Sequence, residues 1–377
     1  MKNKILFVIL VKSEFQRSMV RALESFGWFI EVFDWHDYLP NNLWNKIQCE
    51  YLIGPVIKKV NNALVKTYNI TRPDVVFIYK GIYVFSKTLK YFKSFGSLVI
   101  SYNPDNPFGN FDYQYAKKYK IINNPLLSKL IAIKKGIYYK RLWTNYIKTI
   151  PLYDINFVPR KSQILDYLKI GAREVHLLYW HYVPELHHPI KLSDDDIERF
   201  DSDVVFIGRY EPDDRRDCIE ALIDTGYHVR LFGTGWDYYL TKKMRNVFGK
   251  SIHPVYGMDY TKAICASKIV LNFNAKLNKD TSTIRCIEIP ACGGLLLSER
   301  SEELLRLFKE DKEAVYFSNS NELLEKVNDL LNNHEKRKTI ALSGYNKCIS
   351  SGHDVYSRMR EWDSIIYNKL KDLNILQ

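Results

Sequence analysis

Between residues 280 and 294 the chain reads DTSTIRCIEIPACGG. Three hydroxyl residues, Thr281, Ser282 and Thr283, stand at a predicted helix start, with Thr281 or Ser282 as the N-cap. The amides left without intrahelical partners there, together with the hydroxyls, can cradle a diphosphate. Two turns on, the carboxylate of Glu288 can accept hydrogen bonds from neighbouring sugar hydroxyls, as an acidic residue does for ribose in dinucleotide folds. Pro290 falls late enough in the short helix to be tolerated, and Gly293-Gly294 releases the chain into the next strand.

A second cationic candidate is GRYEPDDRR, residues 208–216, directly after the apolar run DVVFIG. Gly208 permits a tight turn. Arg209 leaves the strand end, and Arg215 opens the next helix, where free amides already favour an anion. Arginine is the side chain best shaped to hold phosphate with two parallel hydrogen bonds. The plainer alternative pairs both arginines with Glu211, Asp213 and Asp214 on the surface. LFGTGW at 231–236 supplies a G-x-G, which is more often a turn than a phosphate loop. In NPDNPF, residues 103–108, Asp105 is a candidate to orient an acceptor hydroxyl, with an Asx-turn aspartate as the alternative.

The elements that must position these residues follow from periodicity. KILFVIL is a continuous apolar run of the kind buried in a parallel sheet, and FQRSMVRALESFG after it has helical spacing that ends at Gly27. WFIEVFDW, PDVVFIY, SLVISYN, DINFV and EVHLLYW continue the alternation, each after a segment long enough for a crossover helix. YVPELHHPIKLSDDDIERFDS, with two prolines and an acidic run, predicts a linker over 183–202 in which the three aspartates are solvated. DVVFIG, HVRLFG, IHPVYG and KIVLNFN then restart the alternation, followed by a helix over 281–292 and a strand over 295–298. The reading is α/β: two Rossmann-like domains, 1–182 and 203–352, facing across a cleft, with a closing helix in 353–377 that can cross back to the first.

Charge separates the halves. The whole chain of 377 residues carries a formal +12, yet residues 51–150 alone hold 17 Lys+Arg against 3 Asp+Glu. Within them, 113–148 has nine Lys/Arg and no acid, interleaved with Tyr, Trp, Ile and Leu. That mixture suits an anionic membrane surface, with Trp143 and nearby tyrosines inserting at the interface. No nucleic-acid fold motif accompanies it, so nucleic acid is the less favoured partner, and a simply solvated lysine face is the bland alternative. Ile5–Val11 is too short to span a bilayer and lacks a signal-peptide pattern, so the expected location is cytoplasmic, peripheral to the inner face of a membrane. The six cysteines form no CxxC and read as reduced thiols; His176, His181, His187 and His188 have no zinc spacing.

GRYEPDDRR, SKIVLNFN and TIRCIEIPACGGLLLSE together resemble the CgeB-like (spore maturation type) glycosyltransferases, within the retaining GT-B "group 1" glycosyltransferases. The likeness runs over most of 203–360, including YFSNSNELLEKVNDLL and HDVYSRMREW, and in the first half rests on SYNPDNPF and LKIGAREVHLLYW. It implies a GT-B fold and a Glu-x7-Glu donor site, whose second glutamate is Glu288 and whose first position, on the transferred sugar, is here Asp280. It also implies that Arg209 and Arg215 sit on the donor diphosphate, and that the base is held largely by backbone around Val255 and Tyr256. Two departures stand out: Asp280 is one methylene shorter than glutamate, and VILVKSEFQRS lacks the glycine-rich turn many relatives carry after their first strand.

The implied activity, of hexosyltransferase class, moves a sugar from a nucleoside-diphosphate sugar to an acceptor hydroxyl with retention, in cell-surface or other glycan synthesis. Charge develops on the leaving diphosphate, so catalysis is chiefly electrostatic and no metal cofactor is expected. The acceptor, lipid-linked or an anionic polymer, would sit on the basic N-terminal half. Two alternatives remain at this point: a GT-B sugar-nucleotide epimerase, and a sugar-nucleotide-binding module without catalysis.

Overall fold

A computed structural model describes residues 3–9, 13–39, 42–109 and 125–373 of the chain. It divides into two compact units. The segment 10–12, where a glycine-rich turn was sought, and all of 113–124 in the basic stretch lie outside the described residues.

The first unit takes Met1–Asp112, Ile133–Tyr179 and Val355–Gln377. In chain order it contains β1 (Lys4–Ile9), α1 (Glu14–Ser25), β2 (Phe29–Asp34), α2 (Leu43–Tyr51), α3 (Pro55–Thr71), β3 (Val75–Tyr79), α4 (Ser86–Ser94), β4 (Leu98–Tyr102), the part of α5 (Pro125–Thr149) from Ile133 onward, β5 (Ile155–Val158), α6 (Lys161–Lys169) and β6 (Val175–Leu177). Its sheet runs β2-β1-β3-β4-β5-β6, every pair parallel. β3 and β4 are buried along their whole length, because helices cover both faces of a parallel sheet. The last helix of the chain packs on α1, and its Trp362 stacks on Phe77 of β3 at 5.2 Å. The indole of Trp28 donates to Asp363 at 2.6 Å.

The second unit is built chiefly on Trp180–Asp354. It holds α7 (Asp194–Phe200), β7 (Ser202–Ile207), α8 (Arg215–Asp224), β8 (Val229–Phe232), α9 (Lys242–Phe248), α10 (Met258–Ala266), β9 (Ser267–Asn272), α11 (Arg285–Ala291), β10 (Leu296–Glu299), α12 (Glu302–Leu307), β11 (Val315–Phe317), α13 (Ser320–Asn332) and α14 (His334–Ser350); α15 (Val355–Asp372) is the closing helix of the first unit. The sheet order is β11-β10-β9-β7-β8, again parallel throughout. From β7 the chain goes first to one side (β8) and then to the other (β9). The carboxyl ends of β7 and β9 therefore border a topological switch point, where open α/β sheets leave a crevice for ligands.

Four expectations need correction. Of the three aspartates expected to be solvated, Asp194 and Asp195 are exposed but Asp196 is not: it forms a reciprocal capping box with Ser193 at the start of α7 and, buried, pairs with Lys262 at 2.8 Å. Those hydrogen bonds hold the Asp196 carboxyl down at about 2. The helix expected over 281–292 begins only at Arg285, so neither Thr281 nor Ser282 caps it. IHPVYG joins no sheet. Trp143 is 4% exposed, packed with Leu142 and Tyr146 in the core of the first unit, and cannot insert into a membrane without unfolding α5.

Truncating that ring should show its structural role. Trp143→Ala is expected to lose about 3–5 kcal/mol of unfolding free energy through lost burial and the cavity left behind. Denaturant titration followed by near-ultraviolet circular dichroism measures it.

Candidate functional site

The site grows from one amide. Asn272 is the last residue of β9 and is fully buried. Its Oδ1 accepts from the Thr283 hydroxyl at 2.9 Å and from Arg285 Nε at 3.1 Å. Its Nδ2 donates to Ser298 Oγ at 2.9 Å and to Cys286 Sγ at 3.3 Å. The start of α11 is thus tied to the ends of β9 and β10. The terminal nitrogens of Arg285 make no hydrogen bond to any described residue, and the side chain is half-buried. A guanidinium held at one nitrogen with its fork unoccupied is poised for an anion.

One turn later stands Glu288. Its Oε2 accepts from the Tyr260 hydroxyl at 2.8 Å, and its Oε1 lies 3.7 Å from His187 Nε2. Carboxylate and imidazole are 12% and 9% exposed. The backbone amide of Val183 donates to His187 Nδ1 at 3.0 Å, so a neutral ring carries its proton on Nε2, facing the carboxylate. Burial first, and then the negative charge of Glu288, push the Tyr260 phenol well above its usual range, so it stays a donor. The chain ahead of α7 is fixed here too: Thr261 donates to the Leu186 carbonyl at 2.7 Å.

The hydroxyl cradle expected from Thr281 to Thr283 is not assembled as such. Thr281 donates to Glu303 and Thr283 to Asn272, so those two protons are spent inside the protein. Asp280 lies in the β9–α11 loop, where its carboxylate accepts from Asn278 Nδ2 at 2.6 Å. Val255 and Tyr256 precede α10, and the Tyr256 ring is 74% exposed, open to stacking.

The two arginines after β7 part company. Arg215 is 2% exposed, with Nε and Nη2 both on the Asp213 carboxylate at 2.6 and 2.5 Å and Nη1 on the Arg209 carbonyl at 2.7 Å. Its guanidinium also lies over the Phe206 and Phe273 rings. All three nitrogens are committed, which leaves no fork for a diphosphate. Arg209 is exposed and has no ion-pair partner among the described residues. Gly208 and Gly233 bring the ends of β7 and β8 against each other: a Cβ on Gly233, at φ +149°, would fall 1.9 Å from the Gly208 carbonyl oxygen. The G-x-G after β8 is therefore a turn whose first glycine is required by close backbone packing beside Arg209.

Asp105 belongs to the other unit, after β4. Its carboxylate pairs with Lys80, which holds a left-handed backbone at φ 51° at the end of β3. Arg160 and Gln163 donate to the carbonyls of Pro104 and Asp105 at 3.0 and 3.1 Å, while Asn103 and Asn106 make the local Asx turns. Sequence reasoning missed Asn272, Arg285, Tyr260 and His187. Arg285 was in plain view at a helix start, but the hydroxyls beside it carried the more familiar signal.

The arginines differ in a way that stability measures. Arg215→Ala leaves the buried Asp213 carboxylate unpaired and is expected to cost about 3–5 kcal/mol. Arg209→Ala should change stability by no more than about 0.5 kcal/mol. Thermal denaturation of the two variants side by side checks both.

Residues 215–364 match the family model described as glycosyl transferase-like. No curated protein sequence matches the chain. Among solved structures it is similar to a sucrose-phosphate synthase from Thermosynechococcus elongatus, with a TM-score of 0.65 at 12% identity over 98% of this chain and 100% of that one. It is also similar to HepE from Anabaena in complex with UDP-glucose, with a TM-score of 0.61 at 13% identity over 97% and 99%. A putative UDP-N-acetylglucosamine 2-epimerase from Listeria monocytogenes scores 0.58 at 12% identity over 99% and 98%. The chain has the GT-B fold of these structures, and its residues 215–364 match the glycosyl transferase-like family.

Proposed function

We propose that the protein is a retaining glycosyltransferase, of the CgeB-like kind its motifs resemble, that takes its sugar from a nucleoside diphosphate held in the second unit. The observation that carries the reading is the pair of unspent cations at one switch point: Arg209 after β7 and Arg285 at the start of α11. Gly208 and Gly233 hold the carboxyl ends of β7 and β8 against each other beside Arg209. A UDP-sugar is the donor of choice, because HepE, a structure of the same fold, holds UDP-glucose.

In this reading Arg209 and Arg285 take the charge that builds on the leaving diphosphate as the glycosidic bond breaks. Glu288 accepts from the ribose hydroxyls, with Tyr260 fixing its rotamer through Oε2 and His187 lying along Oε1. Arg215 acts through Arg209, whose carbonyl it holds, and is a positioning residue. Asp280 stands near the transferred sugar, Tyr256 stacks beside the base, and Asp105 of the first unit orients the acceptor hydroxyl. The acceptor is a lipid-linked glycan or an anionic polymer.

A second reading has one specific support. The acid/base groups an epimerase needs were not evident in the sequence, yet Tyr260 and His187 converge on Glu288. Incubation with UDP-sugars separates the cases: slow release of UDP and free sugar marks a transferase, a changed sugar still on UDP marks an epimerase, and binding without turnover marks a module. Arg285→Ala is expected to weaken UDP by about tenfold or more, from a charge-assisted hydrogen bond of about 1.5–3 kcal/mol, while leaving uridine nearly unchanged. Equal losses for UDP and uridine in calorimetric titration would remove Arg285 from the diphosphate. Tyr260→Phe should lower turnover less than Glu288→Gln, since it frees the carboxylate without removing its charge.

A further inference from the structure

The first unit carries a cavity of about 600 Å³ between the α2–α3 turn and α5. Its floor is rigid. Leu52 takes φ 51° and Gly54 φ 76°, and Gln48 Oε1 accepts from the Val56 amide at 3.1 Å, against the site where a Gly54 Cβ would lie. On the other side α5 presents Lys140, Arg141 and Lys148, and no carboxylate lines the space. None of these cations has an ion-pair partner among the described residues; Arg141 Nη1 donates only to the Tyr51 carbonyl, at 3.3 Å. The nearby Glu50 is taken by Lys134 at 3.3 Å.

A helical lysine row is often only a solvated face, and Lys148, in the last turn, is favoured by the helix dipole. Lys140 and Arg141 lie two turns earlier, where the dipole offers nothing. Apolar side chains share the cavity: Leu52, with Ile53 and Ile137 both 44% exposed, and Ile133 one turn before Ile137 on α5 is 39% exposed. Inorganic phosphate would satisfy the cations but not this wall. A hydrocarbon would satisfy the wall but not the cations.

We infer that this cavity binds the phosphate headgroup of a membrane lipid, with Lys140, Arg141 and Lys148 on the phosphate and the first carbons of the chain against Leu52, Ile53 and Ile137. The space opens widely to solvent, so a headgroup and its first carbons can enter it while the remainder of the lipid stays in the bilayer. The site belongs to the first unit and stands apart from the donor reading, which rests on residues of the second. The aromatic residue expected at the interface, Trp143, is in the core; the anchoring falls to charge and aliphatic contact instead.

The test uses the full chain and dihexanoyl phosphatidic acid, which is soluble as a monomer, with inorganic phosphate as the second probe. Calorimetric titration should show the lipid binding at least about tenfold more tightly than phosphate. The variant Lys140→Gln/Arg141→Gln/Lys148→Gln should weaken the lipid about tenfold or more. A charge-matched control, Lys58→Gln/Lys59→Gln/Lys66→Gln on exposed positions of α3 that do not line the cavity, should bind within about twofold of the parent. Because Arg141 also holds a carbonyl, Lys140→Gln/Lys148→Gln is measured as well, and unchanged melting temperatures certify the fold. Sedimentation with vesicles of phosphatidylcholine, alone and with phosphatidic acid, should follow the same order of variants. Equal losses in the cavity and control variants, phosphate bound as well as lipid, or no lipid binding by the parent would each overturn the inference.

Discussion

The candidate donor site depends on a single buried amide. Asn272 offers two donors and two acceptor lone pairs, and all are used by Thr283, Arg285, Ser298 and Cys286. In the interior each bond left unmade would cost the full desolvation of its partner, so the amide admits one orientation. That orientation sets where α11 begins and which way Arg285 and Glu288 face. Parallel strands all point their carboxyl ends the same way, so Asn272 at the end of β9 and Arg209 past the end of β7 reach the same edge of the sheet. The geometry of the site is then a property of the sheet, with Tyr260 and His187 closing on the carboxylate from α10 and from the segment ahead of α7.

The excess positive charge is likewise given a place by periodicity. Along α5 the residues mix Lys, Arg, Tyr, Trp and Ile without order in sequence, but at 3.6 residues per turn they sort into two faces. Leu142, Trp143 and Tyr146 enter the core, while Lys140, Arg141, Thr144 and Lys148 line the cavity beside the α2–α3 turn. The same helix thus anchors the first unit and presents its cations.

Much of the scaffold was legible because a parallel sheet buries both faces of its strands. DVVFIG, KIVLNFN, PDVVFIY and SLVISYN are unbroken apolar runs, and each lies in a strand close to its expected bounds. What failed was reasoning from local chemistry where a distant partner had the stronger claim. Thr281 to Thr283 look like caps, yet Glu303 and Asn272 take the hydroxyls of Thr281 and Thr283, and the helix starts later. Arg215 looks like a phosphate ligand at a helix start, yet Asp213, two residues away, neutralises it in the interior. His187 stood out only as one of four histidines without zinc spacing, since a histidine in a proline-containing stretch gives no sign that folding carries it to Glu288.

The proposed donor site requires that a nucleoside diphosphate bind at the carboxyl ends of β7 and β9. Amide hydrogen exchange of the full chain with and without UDP addresses it directly, because bound ligand suppresses the local openings through which exchange occurs. Slower exchange should appear in 208–216, 231–236 and 272–288 and leave the outer strands of the first unit unchanged. Protection confined to the first unit at saturating UDP, or none anywhere, would contradict the account.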